Sequence, residues 1–147
     1  MEKKAIAVWE GSFDAGIGAA STQSGVLSRA AYDFNSRFGA KLYGPNMTSP
    51  EELLAAAHAQ SYAMQLAAEC VDSGMTPHRI EVTCTYLLEQ NKDRWEITSV
   101  DLAVRARVEL GDPEVFEKVL NAAKKRDIVS DLIKAKINVS GNMVIGA

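Results

Sequence analysis

Residues 49–73 constrain the fold more than any other stretch of this chain. Ser49 is a favourable N-cap, Pro50 suits the first helical position, and Glu52, three residues past the cap, completes a capping box. Glu51 and Glu52 also lie against the positive end of the helix dipole. Strong helix formers then run to about Ser73, with seven alanines between Glu51 and Cys70. Gly74 can close the helix in a left-handed conformation, and Pro77 prevents its resumption. Such a helix is roughly 35 Å long at about 1.5 Å per residue. Its middle (Leu53, Leu54, Ala57, Ala59, Tyr62, Ala63, Met64, Leu66 and Ala67) is apolar on most sides, which predicts a buried helix. A length of 147 residues predicts one domain over 1–147. A domain of that size cannot easily surround so long an apolar rod, so a partner chain is expected.

The flanking segments read as strands. Met1–Trp9, Gly16–Thr22 and Arg29–Phe34, separated by glycine-bearing turns, predict a three-stranded meander. Residues 39–49 read as a loop. Beyond the long helix, Ile80, Val82, Cys84, Tyr86 and Leu88 alternate with polar residues, which predicts a strand with one wet face. Asn91-Lys92-Asp93 turns the chain into a second strand over Trp95–Val108, making a hairpin. Asp112-Pro113-Glu114 opens a helix carrying Val115, Phe116, Val119, Leu120 and Ala123 at helical spacing. A short helix over Ile128–Lys134 and a last strand over Ile137–Ile145 complete an α+β order.

Chemical motifs are scarce. His58 and His78 are far apart and the two cysteines are fourteen residues apart, so no metal ligand set is expected, and nothing calls for a cofactor. Gly16-Ile17-Gly18 lacks the rest of a phosphate-binding fingerprint and reads as a strand turn. His58 and Ser61 lie three apart on the long helix. A serine nucleophile with a histidine base can be drawn there; the favoured alternative is two polar groups of a core helix, bonded to backbone or water. Cys84 falls on the apolar face of its strand, and Cys70 has no basic neighbour in sequence to lower its pKa, so both read as packed thiols. Arg37, between an apolar segment and a loop, reads as a surface charge. With a net charge of −3 and scattered basic residues, no nucleic-acid footprint is expected. No apolar run exceeds five residues, so no membrane span is expected, and the opening residues do not read as a secretory signal. Two cysteines outside any disulfide framework make a cytoplasmic setting the expectation.

Five segments together carry a resemblance: Trp9-Glu10-Gly11, Ser21–Leu27, Phe34-Asn35-Ser36-Arg37-Phe38, Ser49–Ala59 and Val129–Ala135. They are similar to the OsmC/Ohr family, nearest its osmotically inducible OsmC branch, essentially from end to end. The resemblance implies an α+β fold with antiparallel sheets around a long buried central helix, in an intertwined homodimer. It also implies a role in the response to peroxide or osmotic stress. The family reduces organic hydroperoxides with two cysteines: one thiolate attacks the peroxide and becomes a sulfenic acid, and the second condenses with it to a disulfide. An arginine stabilises the thiolate and a glutamate holds the arginine. By motif these are Arg37 and Glu51.

The cysteines are where this chain departs from the pattern. The first falls on Ser61 and the second on Asp127. A serine hydroxyl is hardly ionised near neutrality and has no counterpart of the thiol-to-sulfenate step, so the family cycle stops at its start. Cys70, nine residues past Ser61, is expected on the other side of the helix, about 13.5 Å along it. Glu51 and Ser61, ten residues apart, would be separated by about 15 Å of helix, so a shared pocket needs a fold-back or a second subunit. The expectation is a homodimer that has lost peroxidase activity but keeps an interface pocket for a small apolar or anionic ligand. Arg37 would face Glu51 and Asp127, and Asp127 would bond to Ser61. An active hydroperoxide reductase working through another thiol is the alternative.

Overall fold

The computed structural model describes residues 1–39 and 46–146, and the expected loop at 39–49 lies largely outside them. The chain forms two compact units, Met1–Leu53 and Leu54–Ala147.

The first unit carries the meander. Strands β1 (Ala5–Glu10), β2 (Ile17–Thr22) and β3 (Ala30–Asp33) pair antiparallel in that order. The third strand ends one residue before its expected limit, because Asp33 caps a helix the sequence reading missed, α1 (Phe34–Phe38). The Asp33 carboxylate accepts from the Ser36 amide at 2.7 Å while Ser36 Oγ accepts from the Asp33 amide at 2.9 Å, a reciprocal box that outcompetes further strand pairing. Helix α2 (Pro50–Asp72) then starts as expected, with Ser49 Oγ accepting from the Glu52 amide at 3.2 Å.

α2 continues into the second unit and closes in a Schellman motif. The Met75 amide reaches the Cys70 carbonyl at 2.9 Å and the Gly74 amide reaches Val71 at 3.0 Å, with Gly74 at φ +78°. The hairpin follows as β4 (Thr76–Asn91) and β5 (Arg94–Glu109), then α3 (Pro113–Arg126), α4 (Ile128–Leu132) and β6 (Lys136–Ile145). β5 buries Val100, Leu102, Val104, Ala106 and Val108 in strict alternation. Of these, Leu102, Val104, Ala106 and Val108 pack with Tyr62, Leu66 and Cys70 of α2 and with Phe116, Val119, Leu120 and Ala123 of α3 to form the core. Val115, expected on that face of α3, is exposed.

Two expectations need correction. β6 pairs with β5 in parallel, so this sheet is mixed rather than antiparallel. The helical connection through α3 and α4 carries the chain back to the start of the sheet before β6 begins, which is what a parallel pairing requires. Within this chain α2 is also not buried on most sides. It buries the stripe His58, Tyr62, Leu66, Glu69 and Cys70, whereas Met64 is 71% and Val71 62% exposed. Apolar composition marks a surface that can be buried; one chain supplies a layer for only one side.

Candidate functional site

The four site residues named from the sequence fall into two clusters. In the first unit, α1 presents Arg37 in its last turn and α2 presents Glu51 in its first. Arg37 Nε and Nη2 both donate to Glu51 Oε1, at 3.0 and 2.8 Å. Glu51 Oε2 is buried and, among the described residues, has no hydrogen-bond partner. The Arg37 guanidinium also lies 5.0 Å from the centre of the Phe38 ring. Beside this pair is a cavity of about 260 Å³ walled by Trp9, Phe13, Tyr32, Phe34 and Phe38, with Arg37, Asp33 and Pro50 completing it.

The second cluster lies in the second unit and is a buried polar network. Ser61 Oγ, half-buried on α2, donates a short hydrogen bond to Asp127 Oδ1 at the α3–α4 junction. The other oxygen of Asp127 accepts from the Ser130 amide at 2.8 Å and the Ser130 hydroxyl at 2.7 Å, so Asp127 is also the N-cap of α4. His58, with no exposed surface, connects to this carboxylate through Ser130. Its Nε2 is 2.7 Å from Ser130 Oγ and 3.5 Å from Asp127 Oδ2, and its Nδ1 is 2.8 Å from the Tyr86 hydroxyl.

Proton counting orders the network. A carboxylate only accepts, so the single Ser130 hydroxyl proton points to Asp127. Nε2 of His58 must then carry a proton and donate to Ser130 Oγ, leaving Nδ1 to accept from Tyr86. A neutral histidine satisfies every partner. Burial pushes the His58 pKa below its ordinary value, and the nearby Asp127 charge opposes that only in part. Burial, with the neighbouring Cys84 and Asp127 adding to it, pushes the Tyr86 hydroxyl up to about 12. His58 and Tyr86, not named among the site residues, are thus part of the cluster. The period-2 alternation of β4 marks Tyr86 as inward-facing but carries no sign of its partner.

The arrangement gives Ser61 a carboxylate rather than His58 as its partner. That carboxylate already accepts from three donors and also caps α4. Neither thiol is activated. Burial raises the Cys70 pKa, with Glu69 adding to the effect, and burial raises that of Cys84 to about 11, with Asp101 adding. Among the described residues no group of three His, Cys, Asp or Glu could hold a metal, and no helix is long and apolar enough to cross a membrane.

Residues 43–141 match the family model described as OsmC-like protein. The chain is 36% identical over 139 residues to peroxiredoxin OsmC of Escherichia coli, covering 95% of this chain and 94% of that one, and equally to its counterpart in Shigella flexneri. Its fold is similar to that of an OsmC-like protein from Mycoplasma pneumoniae (TM-score 0.75, 12% identity, 98% of each chain covered). It is also similar to the organic hydroperoxide resistance protein OhrB of Bacillus subtilis (TM-score 0.61, 17% identity, 96% of this chain and 98% of that one). The chain therefore belongs to the OsmC family.

Proposed function

We propose that this chain is an OsmC-family homodimer that has lost thiol peroxidase activity and keeps a small-molecule cleft beside Arg37. The observation that carries the reading is the Ser61–Asp127 hydrogen bond. By motif these residues stand where the family places its two cysteines, and here an alcohol and a carboxylate satisfy each other. Neither Cys70 nor Cys84 offers an accessible, low-pKa thiol to take over the chemistry. The arginine–glutamate pair persists without a thiolate to serve, and the adjoining aromatic cavity supports a binding role.

The apolar surface left uncovered within each unit supports the homodimer. In the first unit Ile6, Val8 and Ile17 are more than half exposed, and in the second Met64 and Val71 are too. The reading is tested by mixing purified protein with cumene hydroperoxide and dithiothreitol and following peroxide. We expect consumption no faster than with dithiothreitol alone. Turnover at rates usual for a thiol peroxidase, abolished by Cys70→Ser or Cys84→Ser, would establish the alternative of an active reductase using another thiol.

A further inference from the structure

The Gly16-Ile17-Gly18 segment, which reads from sequence as a mere turn, lies against two of the rings that wall the aromatic cleft, Trp9 and Tyr32. Across the meander Trp9 pairs with Gly18, and Gly18 pairs with Tyr32. The two rings lean together over the glycine, with centroids 5.7 Å apart and planes 36° apart. A methyl group at position 18 would stand 2.4 Å from the Tyr32 ring, and one at position 16 would stand 2.8 Å from the Trp9 ring. The rings lie over this strand only because it carries no side chain there. Phe13 meets Phe34 and Phe38 at centroid distances of 5.4 and 6.2 Å, adding further aromatic wall.

The polar end of the cleft is equally specific. Arg37 carries donors only, and two of its nitrogens are already committed to one oxygen of Glu51. Among the described residues Nη1 has no hydrogen-bond partner, so it can donate to a ligand. Its positive charge is offset by Glu51, and the Asp33 carboxylate in the wall adds a second negative group. Another carboxylate entering here would face two anions and one cation. An ammonium group would face the guanidinium donors, while Asp33 is held capping Ser36.

We propose that the cleft takes a flat aromatic molecule bearing a neutral carbonyl group, its ring stacked among Trp9, Tyr32 and Phe13 and its oxygen accepting from Arg37. This rests on the reading of the cleft as a small-molecule site and sharpens it, excluding the anionic class that the sequence left open.

The test uses four probes of similar size: acetophenone, benzoate, benzylammonium and cyclohexyl methyl ketone. Binding is followed by the indole N–H resonances in 15N-labelled protein, with Trp9 as reporter, Trp95 as internal control, and Trp95→Phe to assign the pair. Acetophenone should shift the Trp9 signal, and the other three should bind at least tenfold more weakly. Phe13→Leu, at a position 69% exposed and so tolerant of change, should weaken acetophenone binding about fivefold. Gly18→Ala should abolish it. Benzoate, benzylammonium or the cyclohexyl ketone binding as tightly as acetophenone would overturn the proposal, as would no Trp9 shift at millimolar acetophenone. Peroxide consumption by the same preparation separately decides the loss of peroxidase activity.

Discussion

Replacing Asp127 by alanine tests how much the polar network contributes to the fold. The carboxylate is 1% exposed and accepts from the Ser61 hydroxyl, the Ser130 hydroxyl and the Ser130 amide. Alanine strands all three donors and removes the N-cap of α4. Losing the cap costs about 1 kcal/mol. Ser130 is buried, so its hydroxyl bears most of a desolvation penalty, about 2 kcal/mol. Ser61 is half-buried and can find water, which limits its loss to about 1 kcal/mol. The expected destabilisation is therefore about 4 kcal/mol. It is measured by urea unfolding followed by circular dichroism at one fixed protein concentration, since any dimer couples stability to concentration. Asparagine keeps a capping oxygen and nearly the same volume, so Asp127→Asn should cost about half as much. A loss below about 1 kcal/mol for alanine, or equal losses for the two variants, would refute the assignment of this carboxylate as the centre of the network.

Three further outcomes follow from the same geometry. His58 has a pKa below its unfolded value, so as the pH drops below about 6.5 the unfolded chain takes up a proton that the native state refuses; stability should fall with acidification by up to about 1.4 kcal/mol per pH unit, and His58→Gln should flatten that slope. The half-buried Cys84 thiol, raised to about 11, and the fully buried Cys70 should both resist iodoacetamide at pH 7.5 in native protein and react readily in urea; stoichiometric native labelling, counted by mass spectrometry, would contradict the burial of Cys70 and the raised pKa of Cys84. Ser61→Cys alone should ionise reluctantly against the Asp127 charge, whereas Ser61→Cys/Asp127→Cys should form a disulfide on treatment with cumene hydroperoxide, read as the loss of two free thiols.

The legible parts of the fold were those encoded by neighbours in sequence. Ser49, Pro50, Glu52 and Gly74 place both ends of α2, and Asp112 with Pro113 places the start of α3, because capping is settled within four residues. The period-2 pattern of Ile80 to Leu88 and of Val100 to Val108 likewise gives the inward faces of the hairpin. α1 was lost because Asp33 and Ser36 form a box in which serine takes the place usually held by glutamate or glutamine. Strand direction was lost for a different reason. Period-2 alternation is identical in parallel and antiparallel strands, so Lys136 to Ile145 carries no mark of pairing in parallel with β5.

The candidate site divides in the same way. Resemblance of motifs could name Arg37, Glu51, Ser61 and Asp127 one by one, but not the network among Ser61, Asp127, Ser130, His58 and Tyr86, whose partners lie up to 72 residues apart. Each of those residues has a bland reading alone. Together they make a closed hydrogen-bond system in which every proton has one acceptor, and that closure constrains what could change. An alcohol at position 61 needs an acceptor, the first turn of α4 needs a cap, and His58, with no exposed surface, needs an acceptor for its Nε2 proton. One carboxylate at position 127 meets all three needs, the last through Ser130. A thiol there would cap α4 weakly and leave Ser61 without a strong acceptor. Ser61 and Asp127 are thus physically a pair. Replacing either one singly by cysteine should cost stability that the double replacement partly restores, because a pair of sulfurs can satisfy itself and a mixed pair cannot.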